Sequence, residues 1–209
     1  MNSIEQDTKE KILTVALDMF SVNGYTAVSV RDIGKAVGIK ESTIYYHYKN
    51  KEDIFQTLLD QAEQLMQIRK ESFNNALYAV SKIECEKFID AGLAYIEGYL
   101  LEDRIHKFIR MLTIEMQRNR NAEIIYHKLH FTIPLEHHKN VFTFMMDKGY
   151  TKEDNLDFLA AEYQSIILYV FQKYFSGPDA LTDELKSAAK QELTILLERF
   201  FTRYFCGEA

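Results

Sequence analysis

Proline and glycine are scarce in this chain, two and eight in 209 residues. So few chain-breaking residues point to long helices joined by short connections. No segment alternates strictly between apolar and polar residues, so no sheet is expected. Cysteine is nearly absent. Cys85 and Cys206 are far apart in the chain, which excludes a disulfide framework and fits free thiols in a reducing cytosol. No apolar run approaches the roughly 18 residues that mark a membrane-spanning helix. The polar start MNSIEQDTKEKIL lacks the basic end and apolar stretch of a signal peptide. Nucleophile elbow, phosphate loop, zinc-protease motif and dinucleotide-binding glycines are all missing, so neither an enzyme nor a cofactor is expected.

What the chain has is a composition that is 47% hydrophobic and 27% charged, typical of a packed globular protein. Its net charge of −6 argues at first against nucleic acid. The distribution matters more than the sum. Residues 1–51 hold seven Lys and Arg against six Asp and Glu, while the remainder holds 18 against 25. The N-terminal quarter is the part that a phosphate backbone would not repel.

Periodicity predicts about nine helices and an all-α fold. Ile12, Val15, Ala16, Met19 and Phe20 put one apolar face on a helix over 6–22, which Asn23-Gly24 ends. Ser29 with Asp32 three residues on reads as a capping box opening a short helix that Gly38 closes, with Ile33, Ala36 and Val37 inward. A second short helix follows over 41–48. Asn50 and Asp53 then open a long helix over 51–78, with Ile54, Leu58, Ala62, Leu65 and Ile68 on one side. Helices are further expected over 84–101, 104–118, 122–148 with a bend or break at Pro134, 152–175 capped by Thr151, and 179–205 after the break SGPD.

The stretch GIKESTIYYHYKNKED, residues 38–53, crowds three tyrosines and a histidine between lysines. Two short helices joined by VGIK, with a first helix to pack across both, match a helix-turn-helix. Ile44 is the expected inward anchor. Thr43, Tyr46 and His47 then face outward, with Tyr45 and Tyr48 at the edges. Tyrosine hydroxyls, imidazole nitrogens and Lys51 at a helix N-terminus all suit phosphate oxygens. Arg31 and Lys40 flank the same side.

AVGIKESTIYYHYKNKEDIF, preceded by ILTVALDMFSVNGYTAVSVRDIGKAVGI, resembles the DNA-binding segment of the TetR/AcrR family of bacterial transcriptional regulators over roughly residues 8–58. The resemblance implies that Ser29 or Val30, and Arg31, sit near phosphate, and that Lys40, Glu41, Ser42 and Thr43 begin the recognition helix and face bases. It implies that Tyr45, Tyr46, His47 and Lys51 hold the sugar-phosphate backbone. For Tyr45 the alternative is packing against the first helix. Glu41 either accepts from cytosine N4 or simply favours the positive end of the helix. Lys40 stands where the family often has a small N-capping residue, and Gly34 where it commonly has Ala, which suggests a close helix crossing.

The family resemblance also implies that the C-terminal helices form an effector pocket and a dimer interface. Two wide apolar faces support the second. Tyr163, Ile167, Val170 and Tyr174 lie on one, Leu193, Leu196, Phe200 and Tyr204 on the other, more than one core needs. Aromatic and methionine residues at Tyr95, Tyr99, Phe108, Met111, Met116, Tyr126, Phe142 and Phe171 suit either an apolar ligand or ordinary core. His127, His130, His137 and His138 cluster in sequence, but Pro134 interrupts their register, and no metal site is expected. The chain thus reads as three parts: a DNA-binding domain over 1–50, a connecting helix over 51–78, and an effector-binding and dimerisation domain over 79–209. The expected partners are double-stranded operator DNA, a small apolar or aromatic effector and a second copy of the chain. The expected role is a cytoplasmic repressor. An activator of the same fold, or an all-α small-molecule-binding protein with a vestigial helix-turn-helix, is the alternative.

Overall fold

The computed structural model describes residues 3–78, 90–94, 96, 98, 102–151, 153–177 and 181–205. Among them lie nine α-helices of defined bounds and one π-helical turn, with residues 90–94 helical as well, and no strand. The helices are α1 (Ser3–Asn23), α2 (Val30–Val37), α3 (Glu41–His47), α4 (Lys51–Tyr78), α5 (Asp103–Glu115), α6 (Arg120–His127), α7 (Ile133–Asp147), α8 (Leu156–Phe175) and α9 (Asp183–Tyr204). The π-helical turn, Lys128–Thr132, joins α6 to α7. Cys85, Cys206, Tyr95 and Tyr99 lie outside the described residues.

Two compact units result. The first holds Met1–Leu65 and Arg104–Tyr126, the second Met66–Asp103 and His127–Ala209. In the first, Ile12, Leu13, Ala16, Leu17 and Phe20 of α1 are buried, as are Ile33, Ile44, Ile54, Phe55 and Leu58. Each of these Ile, Leu and Phe side chains contributes about 1.5–3 kcal/mol on burial. On α2 the buried set is Val30, Ile33 and Gly34 rather than the expected Ile33, Ala36 and Val37. The reason lies at Gly34, where a Cβ would stand 3.2 Å from the carbonyl oxygen of Ile39. The missing side chain eases that close approach, since a Cβ there would push the Ile39 carbonyl away by a few tenths of an ångström. Helix α5 adds Ile105, Phe108, Ile109, Met111 and Leu112 to the same core. Polar contacts fasten it. Arg104 donates to Glu10 at 2.9 Å and to Gln61 at 2.8 Å, and Lys107 to Asp18 at 2.6 Å.

In the second unit α8 packs against both α7 and α9. An aromatic cluster of Phe142, Tyr163, Phe200, Phe201 and Phe205 fills the centre, with ring centroids 5.3–6.1 Å apart. Pro134 sits in the first turn of α7, just after the π-helical turn. Having no N–H, it cannot pair with the carbonyl of His130 four residues back. Gln164, buried on α8, donates to that carbonyl from Nε2 at 2.8 Å. Its Oε1 lies 3.0 Å from His138 Nε2, so that nitrogen carries the proton. Burial, together with Lys70 for His137 and with His137 itself for His138, holds both imidazoles neutral, at about 4 and about 3. One cap and one helix start differ from expectation, since α9 begins at Asp183 rather than near residue 179. Asn155, not Thr151, caps α8 by accepting from Phe158 N–H at 3.1 Å, and Thr182 caps α9 by accepting from Leu185 N–H at 3.2 Å. Ile68, expected inward, is 62% exposed.

Candidate nucleic-acid interface

The site is built on the short helices α2 and α3. Ser29 caps α2 by accepting from Asp32 N–H at 3.1 Å, and the Asp32 carboxylate accepts from Ser29 N–H at 2.9 Å. The Ser29 hydroxyl also donates to that carboxylate, and this bond, with the one from Ser29 N–H, holds the Asp32 carboxyl below its ordinary range. They also leave Ser29 and Arg31 exposed at the start of α2. Gly38, at φ +81°, ends α2 in the left-handed region and turns the chain into α3.

Lys40 stands at the N-cap of α3 and makes no capping bond with its side chain. Its ammonium and the exposed Glu41 and Ser42 project from the start of the helix, with Thr43 half-buried beside them. Ile44 is 1% exposed and anchors α3 to the core. Tyr48 is a second anchor that the sequence reading placed at an edge. It is 2% exposed, and its hydroxyl donates to the carbonyl of Lys9 on α1 at 3.3 Å. The spacing explains it, since residues four apart share a helix face. With Ile44 and Tyr48 inward, the roll of α3 is set. Tyr45 is 49% and Tyr46 72% exposed, and the Tyr46 and His47 rings meet edge to face at 5.1 Å.

Lys51 needs a different account from the phosphate clamp that the sequence suggests. Its Nζ donates to the carbonyls of Tyr25 at 2.7 Å and Val28 at 2.8 Å, and lies 4.1 Å from the Tyr25 ring centroid. Both acceptors belong to the loop between α1 and α2. Two of its three protons therefore brace protein. Burial pushes its pKa down, opposed by the carboxylates of Glu115 and Glu52. Tyr25 is the hub of that loop. Its ring lies 4.7 Å from Phe55, and its hydroxyl is pushed up to about 12 by burial and by a hydrogen bond with Glu52. None of this was legible in sequence, because a loop carbonyl leaves no mark on residue choice.

The residues proposed for an effector pocket divide between the two units. Phe108 and Met111 are buried in the first unit, and Met116 and Tyr126 are half-buried there. Phe142 and Phe171 are buried in the second. Of these, Phe142 lines a cavity of about 20 Å³ with Phe73, Gly92, His137, His138, Val141, Tyr163 and Phe201. Of the residues proposed for a dimer interface, Tyr163, Ile167, Val170, Leu193 and Phe200 are already buried within their own chain. Leu196, Tyr174 and Tyr204 are half-buried. The outward apolar side chains of α8 and α9 are Phe158, Tyr169 and Ile195, 50–51% exposed.

A sequence profile described as bacterial regulatory proteins, tetR family, matches residues 12–58, which span α1 to the first part of α4. The chain is 23% identical over 197 residues to the biofilm operon icaADBC HTH-type negative transcriptional regulator IcaR of Staphylococcus epidermidis, covering 93% of this chain and 100% of that one. It is 31% identical over 129 residues to the HTH-type transcriptional regulator AcrR of Shigella flexneri, covering 60% of this chain and 51% of that protein. Among solved structures, SmeT in complex with triclosan superposes with a TM-score of 0.67 at 17% identity, over 95% of this chain and 92% of the other. The profile match coincides with the helix-turn-helix, so over residues 12–58 this chain carries the DNA-binding segment of the tetR family of bacterial regulatory proteins, and the relatives it matches beyond that segment are transcriptional regulators.

Proposed function

We propose that this chain is a cytoplasmic, ligand-responsive repressor that binds a palindromic operator as a homodimer. The observation that carries the reading is α3: a helix pinned by Ile44 and Tyr48, with Tyr45 and Tyr46 held outward on a segment that carries the family's profile. Lys40, Glu41, Ser42 and Thr43 face base edges, while Tyr45, Tyr46 and His47 hold the backbone with Ser29 and Arg31. Residues 1–50 meet DNA, the helix over 51–78 connects, and residues 79–209 hold effector and partner. The negative regulator IcaR among the relatives favours repression over activation.

The dimer would form on the outer faces of α8 and α9. Phe158 and Tyr169 are eleven residues apart, which returns a helix to within about 20° of the same face. Between them stand the exposed, small Ala161 and Ser165, so a partner helix can approach closely. Two recognition helices would then meet successive major grooves about 34–36 Å apart.

SmeT was solved with triclosan, a chlorinated aromatic, which supports an apolar or aromatic effector here. The cavity beside Phe142 has about 20 Å³, room for one water. A drug-sized ligand occupies roughly 300–1,000 Å³. An effector seated at this cavity would therefore bind a more open arrangement of these helices, and it would act by stabilising that state over the one competent for DNA. Selection of duplexes from a random pool tests the reading. A palindromic consensus bound by two copies is expected. Weak, sequence-blind binding that vanishes by physiological salt would sink it.

A further inference from the structure

Glu115, at the end of α5, is 3% exposed, and the regulator reading gives this buried carboxylate no role. Its Oε1 accepts from the backbone N–H of Tyr25 at 2.7 Å, across 90 residues of sequence. The approach is tight. Gly24 ends α1 at φ +78°, and a Cβ there would stand 2.9 Å from that oxygen and 3.0 Å from Ile114 Cγ2. Tyr25 is held from the other side by Lys51 Nζ at its carbonyl, and Lys51 also takes the carbonyl of Val28. Val28 is followed at once by Ser29, the cap of α2. One carboxylate and one ammonium thus clamp the whole connection from α1 to the helix-turn-helix.

We propose that Glu115 is a positioning residue for DNA recognition: presented by α5, its carboxylate fixes the loop that sets where α2 and α3 stand on the first helix. It touches no DNA itself, and it acts through Tyr25 N–H. The inference deepens the regulator reading and rests on it.

The test uses the full chain, a labelled duplex selected by the wild type and a scrambled duplex. Glu115→Met keeps the volume and drops the acceptor, so it should stay folded by circular dichroism. It should lose about tenfold or more in affinity for the selected duplex, the scale of a charge-assisted hydrogen bond, and nothing for the scrambled one. Glu115→Gln retains an acceptor oxygen and should stay within about threefold of wild type. Ile114→Ala packs against the same turn without a polar contact and should leave the ratio of the two affinities unchanged. A folded Glu115→Met with wild-type affinity overturns the proposal, as does Glu115→Gln falling as far as Glu115→Met. Hydrogen exchange on the wild type supplies a measurement independent of any variant: the Tyr25 amide should be protected, and exchange as fast as that of exposed Thr26 overturns the proposal. A wild type that selects no duplex defeats the regulator reading, whatever the exchange shows of the Glu115 contact.

Discussion

Lys51 separates two roles that its sequence position confuses. If it braces the loop before α2, its replacement should cost stability; if it grips phosphate, it should cost salt-dependent affinity. The structure gives it two charge-assisted bonds, at 2.7 and 2.8 Å, to carbonyls that belong to a well-packed loop. Each such bond is worth about 1.5–3 kcal/mol when desolvated, and half-burial puts Lys51 at the lower end, so Lys51→Met should cost about 2–4 kcal/mol. That is a large part of a typical total stability of about 5–15 kcal/mol. For a chain of this size it corresponds to a melting temperature lower by roughly 5–15 °C. Urea unfolding at pH 7 followed by circular dichroism measures it directly. The companion measurement is the slope of log affinity against log salt. Lys40, exposed and without a capping bond, should give up about one unit of slope as Lys40→Met with stability unchanged. Lys51→Met should leave the slope where it was, read on protein kept folded. A variant at Lys51 with wild-type stability and a slope reduced by one would refute the brace and restore the clamp.

The remaining predictions concern the second unit. His137 and His138 titrate at about 4 and about 3 in the folded chain, below the ordinary histidine value. Between about pH 6.5 and those values the unfolded chain binds more protons. Stability is therefore complete above pH 6.5 and falls with pH below it, by on the order of 3 kcal/mol at pH 4 for His137 alone. Urea midpoints that stay flat from pH 7 to pH 5, once His137→Phe is compared with wild type, would contradict this. Gln164→Leu removes the partner of the His130 carbonyl and of the His138 Nε2 proton together, and should destabilise by about 2–5 kcal/mol. A loss below 1 kcal/mol in a chemical denaturation curve would show that the π-helical turn satisfies itself. Ile195→Asp, on a side chain 51% exposed, should weaken self-association in sedimentation velocity while leaving monomer unfolding nearly unchanged. A wild-type sedimentation profile would exclude the outer face of α9 from the interface.

Much of the helical order was legible because local chemistry encodes it. The Ser29–Asp32 box and Asn50, whose side chain accepts from Asp53 N–H at 2.8 Å, each sit where the sequence placed them. Other starts were degenerate. Thr151 and Asn155 both can cap, and only the packing of α8 chooses between them. The faces of α8 and α9 were illegible for a different reason. Both helices are apolar on more than one side, and periodicity cannot say which side the chain covers itself. Hence five of the eight residues that the apolar faces offer to a partner, Tyr163 and Phe200 among them, are buried within the chain itself.

The recognition site divides along the same line. Which rings of IYYHY point outward follows from a single fact about helices, that Ile44 and Tyr48 are four apart and so turn inward together. Tyr45 and Tyr46 must then face away, as their exposure bears out. Where α3 stands is another matter. It depends on the loop from Gly24 to Ser29, and that loop is held by Lys51 from one side and by Glu115, ninety residues on, from the other. A capping box announces itself within four residues, whereas a buried carboxylate that accepts one distant backbone N–H looks in sequence like any glutamate near the end of an amphipathic helix. Hence the inward turn of Ile44 and the outward turn of Tyr46 were readable from the sequence, and the contacts that hold their helix in place were not.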